Sequence, residues 1–157
     1  MKAAMPANVL PEPVPAAVTA SAVWLDGERF VTTGSSGHAV VLDSDRRLNS
    51  APGPVEMVLR SLCGCTATDV VVVLRKKRQP FTRVEVSAAA ERAPEPPTVL
   101  TQIVVRYRVE GNGLDPAAVE RAVALSHEKY CSVMAMLRST ASITYEISLG
   151  PAQAAHS

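Results

Sequence analysis

The chain has 157 residues, 47% of them hydrophobic and 20% charged, with a formal net charge of +1. That length suits one domain with a tail, and a domain near this size folds without disulfide staples. Composition excludes collagen-like, long disordered and knottin-like chains, and the near-zero charge offers no whole-chain field for nucleic acid or an anionic membrane.

Residues 1–17 are Ala/Pro-rich and read as a flexible tail, since Pro6, Pro11, Pro13 and Pro15 forbid a helix there. The same prolines break the apolar stretch that a secretory signal needs. The longest aliphatic run, Val70 to Leu74, is short, so no membrane span is expected. Three cysteines, an odd number, in a chain read as not exported point to a reducing, cytosolic setting.

The domain is predicted over residues 18–150. Val18 to Leu25 reads as a strand, and Asp26-Gly27 as a two-residue hairpin turn. Glu28 to Thr33 returns, Gly34 to Gly37 turns again, and His38 to Asp43 completes an antiparallel meander. Asp43 to Gly53 is polar and irregular. Pro54 opens a long helix that runs to about Arg78, ahead of Pro80. Its middle is apolar nearly all round, which predicts a buried helix. The run Arg75-Lys76-Lys77-Arg78 fits a solvated C-terminal turn, where cations meet the negative end of the dipole.

Phe81 to Ala90 and Val99 to Val109 alternate as strands, the second with Ile103, Val105, Tyr107 and Val109 on one face. Asp115-Pro116 pairs an N-cap with an N1 proline, and the helix continues through Ser126 and Tyr130. Cys131 to Leu137 adds a further helical turn or two. Ser142 to Leu149 is a last strand, with residues 151–157 a short tail. Grouped antiparallel strands without βαβ alternation predict an α+β class.

The cysteines carry the chemistry. Cys63 and Cys65 stand about 200° apart on a helix and cannot meet at one site, so no metal site is expected from Cys-Gly-Cys. Cys65 has Ser61, Thr68 and Asp69 at helical spacing. The plain reading makes Cys63 and Cys65 small buried apolar groups and pairs Asp69 with a base. Cys131 lies four residues after His127, on the same side of a helix. An imidazolium or a fresh helix start there would lower a thiol pKa; a core cysteine beside a surface histidine fits the spacing equally well. His38 follows a turn glycine and reads as structural.

Three stretches together are distinctive: Gly37 to Asp43, Pro54 to Val71 with Cys63-Gly64-Cys65, and Leu125 to Val133 with His127 and Cys131. In this order they resemble the OsmC/Ohr superfamily (osmotically inducible protein C and organic hydroperoxide resistance proteins), in its OsmC-like redox branch. The resemblance spans about Val18 to Leu149. It implies an intertwined homodimer whose sheets wrap a long central helix, with no bound cofactor. It implies that Cys65 is the peroxidatic thiol for organic hydroperoxides, that Cys131 resolves its sulfenic acid as a disulfide, and that an external dithiol of lipoyl type restores the pair. Asp69, His127 and His38 are the supporting candidates.

The family's hydroperoxidases place a carboxylate directly after the helix-opening proline, paired with an arginine from an early strand loop. Here that position is Val55, and the acid is Glu56. Ten residues along a helix leave two side chains about 80° apart, whereas nine leave them about 180° apart, so Glu56 points away from Cys65 of its own chain. Arg29 is the nearest match for the arginine. This departure keeps two alternatives open: a non-catalytic or redox-sensing dimer, and a small-ligand binding module at the dimer interface.

Overall fold

The structure, a computed structural model, describes residues 18–152. The predicted N-terminal tail and all but the first two residues of the C-terminal tail lie outside that range. The chain divides after Pro54 into two compact units.

The first unit is the predicted meander: β1 (Ala20–Asp26), β2 (Arg29–Gly34) and β3 (Ala39–Asp43), antiparallel in the order β1-β2-β3. Its hairpin turns on Gly27 at φ +46°, a conformation that costs glycine nothing. Residues 44–53 lack regular structure but are organised. The buried Asp43 carboxylate accepts from the backbone N–H of Asp45 and from both the N–H and the hydroxyl of Ser50. These bonds hold its pKa below the ordinary carboxylate value, the Ser50 side chain contributing most.

The second unit holds α1 (Pro54–Lys76), β4 (Arg83–Arg92), β5 (Leu100–Glu110), α2 (Pro116–Leu125), α3 (Ser132–Leu137) and β6 (Ser142–Gly150). Helix α1 stops two residues short of the prediction, because Arg78 takes φ +53° and turns the chain toward Pro80. Strand β5 is central and alternates as predicted: Ile103, Val105, Tyr107 and Val109 are buried, while Arg106 and Arg108 face out. They share one apolar cluster with Leu62, Val70 and Leu74 of α1 and with Val119, Ala122 and Val123 of α2.

Three expectations are corrected. The last strand, β6, pairs parallel to β5, so the sheet β4-β5-β6 is mixed. A parallel partner needs a crossover of a dozen or more residues, and the helical segment between β5 and β6 supplies it. Helix α1 is not buried all round within the chain. Leu62, Thr66, Val70, Val73 and Leu74 form its buried face, while Val58 and Val72 remain exposed. Finally, α1 is long and apolar enough to cross a membrane by length and composition, with a best-window mean hydropathy of 1.7. Counting aliphatic runs missed this, since Cys63, Cys65 and Ala67 raise the average without lengthening any run. A core helix passes the same test.

Candidate functional site

Cys65 and Asp69 sit one turn apart on the same face of α1. The third component arrives from the end of α2. There Ser126–Tyr130 widens into a single π turn, in which the Cys131 N–H reaches back to the Ser126 carbonyl at 3.0 Å. Cys131 itself is extended, at φ −73° and ψ 105°, and caps α3, its Sγ accepting from the Met134 N–H at 3.3 Å. The widened turn also aims the Ser126 hydroxyl at Asp69, donating to Oδ2 at 2.9 Å. As a result Cys65 Sγ, an Asp69 carboxylate oxygen and Cys131 Sγ all lie within 4.8 Å of one another. All three cysteines are free thiols.

The electrostatics separate the two sulfurs. Cys131 is only 3% exposed. Burial first, then the contact with Cys65, push its thiol up to about 12, partly offset by the Met134 N–H. Cys131 is therefore a neutral thiol at pH 7, which, of the two readings left open, favours the core cysteine over a lowered pKa. The supposed imidazolium is absent as well. Burial, helped by the charge of Arg138, pulls His127 down to about 4, so the ring is neutral. Its Nε2 shares a hydrogen bond with the Tyr107 hydroxyl at 2.9 Å, and burial holds that phenol well above its ordinary value. The π turn breaks the simple four-residue relation between His127 and Cys131. It points the imidazole into the core, against Tyr107 and, at 4.5 Å between ring centroids, Tyr145.

The other candidates lie elsewhere. Glu56 forms an exposed i,i+4 pair with Arg60, 2.6 Å apart, while Val55 packs against the core. Arg29, in the first unit, pairs with Asp26 across the first hairpin turn. His38, also in the first unit, contacts only the nearby Ser36 hydroxyl, at 3.2 Å, among its recorded partners. Ser61 and Thr68 bond back to the Met57 and Gly64 carbonyls of their own helix and do not serve Cys65. Cys63 is half-buried, and burial raises its thiol pKa.

Two contributors escaped the sequence reading: Ser126, which holds Asp69, and Tyr107, which holds His127. A tyrosine on the buried face of a strand does carry a signal, because its hydroxyl needs a partner. Among the described residues, the group able to ligate a metal is Cys65, Asp69 and Cys131. Beside Asp69 opens a cavity of about 490 Å³, lined by Val72, Val73, Leu125 and Tyr130 with Lys76 and Lys77 at its edge.

Residues 47–146 match the family model described as OsmC-like protein. The chain belongs to the OsmC-like family. It is 43% identical to protein YhfA of Escherichia coli over 122 residues, covering 78% of this chain and 90% of that protein. A hypothetical protein from Aquifex aeolicus superposes with a TM-score of 0.73 at 27% identity, over 85% of this chain and 97% of the other. An organic hydroperoxide resistance protein OsmC from Legionella pneumophila, also described as a predicted redox protein, shares the fold with a TM-score of 0.64. Its identity is 17%, over 87% of this chain and 99% of that one.

Proposed function

We propose that this OsmC-like chain is a thiol-dependent peroxidase for organic hydroperoxides, working in a reducing cytosol. The convergence of Cys65, Asp69 and Cys131 within 4.8 Å carries the reading. A thiol pushed up to about 12 supplies almost no thiolate at pH 7, so the first attack falls to Cys65, the less buried sulfur. Asp69 accepts the Cys65 proton. The Cys65 thiolate takes the outer oxygen of ROOH, the O–O bond breaks, and the alkoxide leaves as ROH with that proton. Cys65 is now a sulfenic acid. The Cys131 thiol attacks its sulfur, forming the disulfide and releasing water. An external dithiol of lipoyl type then reduces the disulfide and is itself oxidised. The apolar cavity beside Asp69 suits the organic part of the peroxide.

A second copy of the chain completes this reading. Val23, Trp24 and Phe30 of the first unit, and Val58 and Val72 of α1, are exposed apolar side chains that a second copy would cover. The test is peroxide consumption with a dithiol as reductant. Cys65→Ser should lose at least ~100-fold in rate. Cys131→Ser should complete one turnover per chain and stall as the sulfenic acid. A Cys65→Ser protein that consumes peroxide at the parent rate overturns the proposal.

One observation favours a slower, sensing role: Val55 stands where hydroperoxidases carry their acid, and Glu56 is taken up by Arg60. Stoichiometric disulfide formation with near-background turnover would select that reading.

A further inference from the structure

We infer that the reduced site is also a chelate for a thiophilic divalent cation, zinc first, held by Cys65 Sγ, Asp69 and Cys131 Sγ. The inference stands on the placement of three donors and not on the peroxidase reading. In tetrahedral zinc sites, Zn–S bonds of ~2.3 Å and Zn–O bonds of ~2.0–2.2 Å separate neighbouring donors by roughly 3.5–3.8 Å. Donors already within 4.8 Å of one another need to close by about 1 Å at most.

The surroundings favour ligation. Ser126 engages Asp69 Oδ2, which fixes the carboxylate beside the two sulfurs. The Met134 N–H points at Cys131 Sγ, where it stabilises a thiolate. Cys131 belongs to the apolar core and Cys65 packs against it, so a bound ion meets little competing water. Two thiolates and one carboxylate select zinc or cadmium over calcium or magnesium. Three protein ligands leave one position open toward water or a small ligand. The set is thus open, unlike the closed four-ligand set of a structural zinc.

Binding releases the two thiol protons to solvent. It is also exclusive with oxidation, because a Cys65–Cys131 disulfide removes two of the three ligands. Written in full, the zinc dithiolate plus ROOH plus two protons gives the disulfide, ROH, water and free Zn²⁺. The ion thus occupies the reduced, resting state and blocks it, and oxidation expels it.

The experiment titrates the full-length, reduced, metal-free protein with Zn²⁺ against a chromophoric chelator, and with Cd²⁺ followed by thiolate charge-transfer absorption, with no peroxide present. One ion per chain is expected. Binding should be abolished after oxidation with diamide, weakened at least ~10-fold by Asp69→Asn, and unchanged by Cys63→Ser. Asparagine is isosteric and keeps an acceptor for Ser126, so the fold is retained; circular dichroism checks this. Binding no tighter than that of a Cys65→Ser/Cys131→Ser double variant overturns the inference. So does binding lost in Cys63→Ser, or equal binding by Asp69→Asn. A chain without peroxidase turnover that still passes this titration leaves the inference intact, so the two proposals fail separately.

Discussion

At the scale of single residues, burial sets protonation more strongly than sequence neighbourhood does. His127 and Cys131 stand four apart and invite a charged-pair reading, yet both are driven to their neutral forms because the core desolvates them. His127 makes a measurable consequence. Its pKa in the fold is about 4, against an ordinary value of 6.5 that the unfolded chain keeps. Between those values the unfolded state binds the extra proton, so stability rises with pH there. The contribution is complete above about pH 6.5 and drains away as pH falls toward about 4. Urea unfolding from pH 7 to 4.5 should show the parent losing about 2–3 kcal/mol more than His127→Gln, whose amide still accepts from Tyr107 but does not titrate. A parent and variant with parallel pH profiles would contradict the buried neutral imidazole.

At the scale of elements, local signals placed most boundaries. Asp26-Gly27 marked the first hairpin, Pro54 the start of α1, and Asp115-Pro116 the start of α2, where Asp115 caps the Ala117 N–H at 3.0 Å. What no local signal marked was the π turn at Ser126–Tyr130. An extra residue in one turn leaves the apolar pattern almost unchanged while rotating everything beyond it. Another close fit hides at the end of β5. A Cβ on Gly111 would stand 2.3 Å from the Pro80 carbonyl oxygen and 2.8 Å from the Phe81 Cα, both backbone atoms that cannot swing aside. Gly111→Ala should therefore cost about 1–3 kcal/mol in chemical denaturation, by overpacking and not by lost glycine flexibility. An unchanged midpoint would show that the α1–β4 connection yields freely.

At the scale of the whole molecule, apolar surface left in water is the dominant feature. Strand β1 is exposed along its whole length, with Trp24 paired in register to the exposed Phe30 on β2. Exposed aromatic pairs of this kind are surfaces that a partner covers. Native mass spectrometry at micromolar concentration should find two copies per particle, with Trp24 fluorescence shifting to the red when the dimer is diluted apart. A monomer that keeps its fold at that concentration would remove the homodimer from the functional proposal.

The sequence by itself determined the element order, the inward face of β5 and the family, because periodicity, turn residues and the cysteine segments are local and survive without coordinates. Tertiary packing alone settles that β6 runs parallel to β5 and that Ser126 and Asp69 hold each other beside two sulfurs. Those facts depend on how distant segments return to one another, β5 to β6 and, across 57 residues, Asp69 to Ser126. That return is set by the packing of the core around the crossover, a sum of many weak contacts that no short stretch of sequence contains.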